Sequence, residues 1–532
     1  MVLTGLKVGN EILVNMLEGN FEEVSEDLIF GALEFAKPFL RKICDFQTEI
    51  SKKIGKKKIL TKGLEKDSEL EVAIRKFLGE NLEKVLYQKK KPDRMEETNK
   101  LKGELLNFIG EKYVTPDKIR YASIFFEKEI ERLIHENILK NEKRPDGRKL
   151  DEIREIHIEA GLLPRTHGSG LFCRGQTKSL SILTLGAPGD QQLLEGMETV
   201  GKKRFMHHYN FPPYSVGEIR PLRGPGRRDI GHGMLVEKAL LPLIPPFEEF
   251  PYTMRAVSEI LSSNGSTSMA AVSSSSLALM DAGVPIRSAA AGISVGLMIR
   301  EGAGAPISSF SQGDYKILAD IQGPEDHHGD MDFKIAGTSK GITALQMDVK
   351  ISGINSDILK ESLSLGKKIR LQILEKVEKV LARPRPQLSP YAPRILTLQI
   401  NPEKIREVVG PGGKTINEII ADTGVAIDIQ PSGLIFITAE KEESAQKALS
   451  WIKNITREVK VGEVFQGKVK KILDFGAFVE ILPNQEGLIH ISQLSDQRIR
   501  RVEDVIKMGE VVPVKVIGID NQGRINLALE KK

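Results

Sequence analysis

Ile405-Arg406-Glu407-Val408-Val409-Gly410-Pro411-Gly412-Gly413-Lys414-Thr415-Ile416-Asn417-Glu418-Ile419-Ile420 sits between two runs of helical periodicity. Ile405, Val408 and Val409 recur at helical spacing, and Ile416, Ile419 and Ile420 repeat the pattern beyond the glycines. A Gly-x-x-Gly turn has no Cβ at either end, so its backbone can approach another molecule closely. Ile427/Ile429 and Ile435/Ile437 alternate as strands do. Residues 395–456 therefore read strand, helix, glycine loop, helix, strand, strand, helix. A lone Gly-x-x-Gly is a weak signal, but flanked in this order it defines a small α+β unit.

The next residues, 459–530, carry short strands at regular spacing, as in a small barrel. They include Gly462-Glu463-Val464-Phe465-Gln466-Gly467-Lys468-Val469, then Phe475-Gly476-Ala477-Phe478-Val479, then Glu486-Gly487-Leu488-Ile489-His490-Ile491-Ser492. The first unit resembles a KH domain, whose glycine loop clamps about four nucleotides. That resemblance implies RNA contacts from Gly410, Gly413 and Lys414. The second unit resembles an S1 domain, an OB-fold barrel. Phe475, Phe478 and His490 match the positions from which that family stacks bases, each stack being worth roughly 1–3 kcal/mol. The plainer alternative is that one of the phenylalanines, Phe478 in particular, is core.

With 532 residues the chain exceeds one core, and roughly three or four domains are expected. The composition is globular, with 40% hydrophobic and 28% charged residues, and a net charge of +5 is too small to define a partner. Cys44 and Cys173 stand far apart, which argues against a disulfide framework and fits a reducing compartment. Lys7, Asn10, Glu11, Asn15 and Glu18 interrupt the apolar residues near Met1. Neither a signal peptide nor a membrane span is expected, and a cytoplasmic location is the default.

Glu11–Leu17 reads as a short strand, followed by an acidic loop and a helix that Ser25 can cap, with Glu26 and Asp27 in its first turn. Residues 51–58 are a basic break, expected as a linker. Residues 68–140 read as helices, one starting at Thr115-Pro116-Asp117. Their mixed Lys/Glu faces favour a solvated connector. Residues 150–385 look α+β, with a helix from about Asp357 to Leu381, and Ala382-Arg383-Pro384-Arg385-Pro386 reads as a linker. Met16–Glu49 and Met347–Leu381 share an order of elements: strand, glycine, capping residue, long helix. This suggests that the N-terminus is the tail of a duplicated domain.

Three central segments carry chemistry. In Ser263-Asn264-Gly265-Ser266-Thr267-Ser268-Met269 a glycine and hydroxyls precede a helix ending near Asp281-Ala282-Gly283. Such an N-terminus binds phosphate through free N–H groups, and plain serine capping is an equal alternative. In Pro324-Glu325-Asp326-His327-His328-Gly329-Asp330-Met331-Asp332-Phe333-Lys334-Ile335, strand alternation puts Met331, Phe333 and Ile335 on the core face. Asp330, Asp332 and Lys334 share the other face, to which Asp326 can return across the turn. Clustered carboxylates suit a hard cation such as Mg²⁺ or Mn²⁺. A solvated acidic turn is the alternative, disfavoured by carboxylate repulsion. The adjacent histidines invite zinc, but no further His/Cys set has zinc-site spacing. In Arg227-Arg228-Asp229-Ile230-Gly231-His232-Gly233 the arginines can bind phosphate, although a solvated basic loop is the simpler reading.

These segments occur in one order with Arg144-Pro145-Asp146-Gly147-Arg148 and Tyr209-Asn210-Phe211-Pro212-Pro213-Tyr214 before the two C-terminal units. Nearly the whole chain is thereby similar to the polynucleotide phosphorylase family. The resemblance implies an α+β multidomain chain: a remnant of a first RNase PH-like domain (1–52), a helical linker domain (60–142), a second RNase PH-like domain (143–385), a KH domain (395–456) and an S1 barrel (459–530). It implies a phosphorolytic 3′-to-5′ exoribonuclease that degrades single-stranded RNA with inorganic phosphate to nucleoside diphosphates. The reaction reverses as polymerisation, and partners in an RNA-degradation complex are expected. The family is usually a trimeric ring and needs Mg²⁺ or Mn²⁺. Ser266, Thr267 and Ser268 would hold phosphate, with Thr267 standing where serine is usual. Asp326 and Asp332 would bind metal and, with Lys334, form the catalytic set. Arg227, Arg228 and His232 would contact phosphate or the RNA 3′ end. Two departures stand out: a long loop at Glu301–Tyr315, and a first core represented only by its apparent tail. The latter implies truncation, with an RNA-binding fragment of incomplete or partner-dependent catalysis as the alternative.

Overall fold

The helix Thr267–Asp281 is buried along its whole length. A helix can vanish into an interior only where its neighbours approach its backbone, and here they are glycines. A Cβ at Gly170, on the strand Gly168–Arg174, would lie 2.4 Å from the Ser274 carbonyl oxygen. A Cβ at Gly292, on the strand Ala291–Ile299, would lie 2.9 Å from that of Met269. The small residues of the helix itself, mostly Ala and Ser, complete the close packing.

The computed structural model describes residues 1–59, 65–113, 115–198, 200–300, 314–457, 459–482, 485–495, 501–520 and 524–530. The expected long loop at Glu301–Tyr315 lies almost wholly outside them. The chain divides into two compact units, Met1–Leu185 with Gln191–Ala392, and Gly186–Asp190 with Pro393–Lys532.

In the first unit the buried helix lies against two sheets. One has five strands in the order Ile156–Ala160, Gly168–Arg174, Thr177–Gly186, Thr253–Ser262, Phe205–Asn210. The other has six, in the order Val2–Val8, Glu11–Val24, Ile342–Val349, Met331–Gly337, Ala291–Ile299, Tyr315–Ala319. The N-terminal segment is thus built into this second sheet. Leu17 pairs with Met347 and Met16 with Asp348, joining the two strands whose similarity the sequence suggested. The expected acidic loop after Leu17 is instead strand through Val24. Edge pairing with Ile342–Val349 satisfies its backbone, which outweighs its unfavourable composition. Ser25 caps the helix Glu26–Ile54 as expected, accepting from the Leu28 N–H. The expected linker at 51–58 begins inside this helix, where Lys52 and Lys53 sit in the last turn and complement its dipole.

The helices Ser68–Leu78, Asn81–Leu86, Lys91–Tyr113 and Pro116–Asn141 are more than a solvated connector. Ile74, Leu105, Ile109, Phe126 and Ile134 form a buried core that continues into Met298, Leu318 and Ile321 of the six-stranded sheet region. Lys and Glu on the outer faces mask that narrow apolar stripe in the sequence. The proline-rich segment after residue 381 is pinned as well. The Arg385 N–H donates to the Met280 carbonyl, and its guanidinium bonds Asp281 at 2.7 Å.

The second unit holds a three-stranded antiparallel sheet, ordered Arg394–Gln399, Leu434–Ala439, Ala426–Ile429, and a closed five-stranded barrel. Ile427 faces Ile437 and Ile429 faces Ile435 in register. Among the described residues no helix is long and apolar enough to cross a membrane.

Candidate active site

Three elements of the first unit meet around a cavity of about 560 Å³. The first is the N-terminus of the buried helix. Ser266 sits in the left-handed region with φ 56°, and no side chain caps the helix. Its hydroxyl instead donates to Ser294 Oγ at 2.8 Å, and its carbonyl accepts from Arg174 at 2.9 Å. Thr267 Oγ1 accepts from the Tyr209 hydroxyl at 2.7 Å. Among the described residues Ser268 Oγ, which is buried, has no partner. The serine-capping alternative therefore does not hold. The first N–H groups of the helix lack intrahelical acceptors, and Ser266, Thr267 and Ser268, at that end of the helix, line the cavity.

The second element is the acidic turn. Asp326 lies on the short helix Gly323–His328, and Asp332 and Lys334 lie on the strand Met331–Gly337; all three line the cavity. Met331, Phe333 and Ile335 are buried on the opposite face, as alternation requires. Asp330 does not join the carboxylates. It is buried, with one oxygen accepting from the Ile299 N–H at 2.8 Å, because strand geometry begins only at Met331. Asp332 Oδ2 lies 3.0 Å from Lys334 Nζ, whereas Oδ1 is buried without a partner among the described residues. Burial, followed by the Asp332 charge, raises the Asp326 pKa.

A framework of buried ion pairs holds this turn. Arg144 bonds Glu325 through two nitrogens, both at 2.6 Å, and both side chains are fully buried. Asp320, at φ 50°, is held by Arg154 at 2.7 Å and Arg174 at 2.9 Å. Burial opposes its charge, but these guanidiniums keep its pKa well below the ordinary value. Breaking such pairs strands a buried charge, so they fix geometry more than they add stability.

The third element is the helix Arg227–Leu240, so the arginines open a helix where a loop was the simpler expectation. Asp229 accounts for it: its carboxylate accepts from the N–H groups of Gly226 at 2.7 Å and Phe211 at 2.9 Å. Arg228 and His232 line the cavity, and Arg228 lies 5.2 Å from the Phe211 ring centre. Arg227 is exposed and is not among the cavity-lining residues. Burial, and then Lys334 and Arg228, push the His232 pKa down to about 3, so its imidazole is neutral near pH 7. Sequence reasoning missed Lys91 and Lys350. Lys91 Nζ donates to the Ser263 carbonyl at 2.6 Å, and Lys350 Nζ to the Asp326 carbonyl at 2.9 Å. Neither position carries a local pattern; both are lysines in charged or mixed surroundings.

In the second unit, Gly410, Gly412 and Gly413 all have positive φ, at 71°, 60° and 81°. At Gly410 a Cβ would also lie 2.2 Å from Thr415 Oγ1. Lys414 is exposed at the start of the helix Lys414–Thr423. On the barrel, Phe475 and His490 are exposed and Phe478 is half-buried, while Ala477 and Val479 are fully buried. Phe478 therefore projects outward, and the core alternative fails. Pairing of Gly476 with His490 and of Phe478 with Leu488 places Phe478 and His490 on one barrel face.

A cavity that joins an uncapped helix N-terminus, two carboxylates and cations, in a chain that also carries a glycine-loop unit and an aromatic-faced barrel, fits the class of nucleotidyl-transfer enzymes with appended RNA-binding modules. Family models agree segment by segment. Residues 152–285 match the 3′ exoribonuclease family, domain 1, and residues 69–149 match the polyribonucleotide nucleotidyltransferase RNA binding domain. Residues 395–454 match the KH domain and 458–530 the S1 RNA binding domain. The polyribonucleotide nucleotidyltransferase of Heliobacterium modesticaldum is 52% identical over 98% of this chain and 72% of its own length. That of Halothermothrix orenii is 48% identical over 98% and 74%, and that of Bacillus cytotoxicus 48% over 98% and 72%. The chain belongs to the polyribonucleotide nucleotidyltransferase family, and its activity is that of a phosphorolytic 3′-to-5′ exoribonuclease. A chain of the Archaeoglobus fulgidus exosome with RNA bound to the active site aligns over 47% of this chain and 98% of its own. With 16% identity and a TM-score of 0.38, that likeness is too distant to bear on fold or function.

Proposed function

We propose that the cavity bounded by Ser268, Asp326, Asp332 and Lys334 is where inorganic phosphate cleaves the RNA 3′ end. A phosphate oxygen bonds to the phosphorus of the terminal nucleotide. The bond to the preceding O3′ breaks, and a proton from the attacking phosphate restores that hydroxyl. A nucleoside diphosphate leaves, and no protein nucleophile is needed. The chain's task is positioning and charge stabilisation. The helix N–H groups and the Ser268 hydroxyl orient the phosphate. Ser266, whose hydroxyl proton goes to Ser294, shapes the turn that presents those N–H groups, and Thr267, whose oxygen only accepts from Tyr209, keeps a proton to donate to the phosphate. Arg228 and the neutral His232 hold phosphate oxygens of the RNA 3′ end, and Arg227 meets the RNA backbone further out. Lys334 offsets charge on the reacting phosphorus.

The orphaned Asp332 Oδ1 and the raised Asp326 pKa support a divalent cation, Mg²⁺ or Mn²⁺, between two otherwise unbalanced carboxylates. Such an ion supplies Lewis-acid stabilisation of charge on the transferring group. The observation that carries the reading is the pairing of the unsatisfied Ser268 hydroxyl with the unsatisfied Asp332 oxygen across one cavity. The test is phosphate-dependent release of nucleoside diphosphates from single-stranded RNA with Mg²⁺ or Mn²⁺. Asp332→Asn lowers turnover at least about 100-fold and leaves RNA affinity unchanged; unchanged turnover overturns the assignment. Gly410, Gly413, Lys414, Phe475, Phe478 and His490 hold single-stranded RNA by backbone clamping and stacking.

A second reading, partner-dependent catalysis, is supported by the apolar stripe of the helix Glu26–Ile54, where Phe35 is 71% and Phe46 63% exposed. Apolar faces of this kind mark assembly surfaces, and a ring-shaped trimer in the cytoplasm accommodates one. Sedimentation of the purified chain with a parallel turnover assay decides: turnover by a monomer removes this reading.

A further inference from the structure

At the edge of the carboxylate cavity, which His327 also lines, Glu127, His327 and His328 each bring one ligand atom within 4.8 Å of the others. Glu127 belongs to the helix Pro116–Asn141, and the histidines end the short helix Gly323–His328. We propose that these three side chains form a second metal site that takes Zn²⁺. Two imidazoles and one carboxylate with an open fourth position suit zinc, whereas Mg²⁺ disfavours nitrogen donors.

The surroundings support a built site. The turn is anchored through its backbone: Lys350 Nζ donates to the Asp326 and His327 carbonyls, and His135 Nε2 bonds the His328 carbonyl at 2.9 Å. The two imidazoles stay clear of those bonds, and among the described residues neither has a hydrogen-bond partner. The rings stand nearly perpendicular, with centres 4.6 Å apart, so they do not stack. Lys102 Nζ bonds Glu127 Oε1 at 2.6 Å, which orients the carboxylate and leaves its second oxygen for an ion. That ammonium also lowers the local negative charge, which works against hard cations and leaves the imidazoles to select. The third ligand escapes a reading of His/Cys spacing because it is a carboxylate about 200 residues upstream in sequence.

Occupancy would tie the helix Pro116–Asn141 to the turn that carries Asp326. The proposal does not depend on the phosphorolysis site, and its test separates the two. The full chain, stripped with a chelator, is titrated with Zn²⁺ against an excess of Mg²⁺. One Zn²⁺ per chain is expected. His328→Leu and Glu127→Gln each weaken it at least about tenfold, and Asp332→Asn leaves it unchanged. Equal Zn²⁺ affinity in the parent and His328→Leu overturns the site. So does loss of Zn²⁺ in Asp332→Asn, which would place the ion at Asp326 and Asp332. Co²⁺ substitution in the parent needs no variant to fold: the intense visible bands of a four-coordinate site are expected, and the weak bands of a six-coordinate oxygen site overturn it.

Discussion

Ser268 and Asp332 each hold a buried oxygen with no partner among the described residues, and such atoms are costly unless a ligand meets them. Removing the Ser268 hydroxyl should therefore cost the fold little and phosphate binding much. Ser268→Ala raises KM for phosphate about 10-fold, with the thermal midpoint unchanged, as steady-state kinetics and calorimetry will report. Ser266→Ala behaves oppositely. It frees Ser294 Oγ in the interior and lowers stability by about 1 kcal/mol, read by urea denaturation. The sequence brought Ser266, Thr267 and Ser268 forward as a group, because hydroxyls before a helix are a local pattern. It could not rank them, since the partners Ser294, Tyr209 and Arg174 stand at distant positions. Asp330 shows the same limit. Alternation placed it with Asp332, but one residue of difference in where the strand starts turned it into the interior.

At the scale of elements, close approach governs the first unit and exposure governs the second. Gly170→Val drives a side chain into the Ser274 carbonyl on an immobile, buried helix, and should destabilise by about 3 kcal/mol in urea titration. Phe478→Ala removes an outward ring from the barrel. RNA affinity should fall by about 1–3 kcal/mol in a fluorescence titration, while thermal stability holds. These elements were legible for different reasons. The glycine loop, its helices and the flanking strands are specified by neighbours in sequence, whereas the pairing of the strands Arg394–Gln399 and Ala426–Ile429 on either side of Leu434–Ala439 was not. The helices of 68–141 were legible as helices, but their burial was not. A stripe such as Ile74, Leu78 and Phe126 has meaning only once Leu318 and Ile321 pack on it.

Across the whole molecule, buried ionisable groups tie stability to pH. His207 is buried against Ser258 and Ser275, and burial pushes its pKa down to about 3. The unfolded chain titrates near 6.5, so it binds more protons than the folded chain between those values. The contribution is thus complete above about pH 6.5 and is lost as pH falls towards 3. At pH 5 the loss is on the order of 2 kcal/mol, and His207→Gln flattens that part of the pH–stability curve measured by denaturation. The sequence by itself determined many of the strands and helices, where the hydroxyls, carboxylates and arginines recur, and that a glycine-loop α+β unit and a small barrel follow the central region. These are properties of neighbours, fixed by periodicity and backbone chemistry. The tertiary structure alone decided which residues line the cavity, that residues 1–24 complete the six-stranded sheet, and that Lys91, Lys350 and Glu127 come to the turn that carries Asp326. Those facts arise from contacts between residues far apart in sequence, and only packing of the sheets and helices on one another brings such residues together.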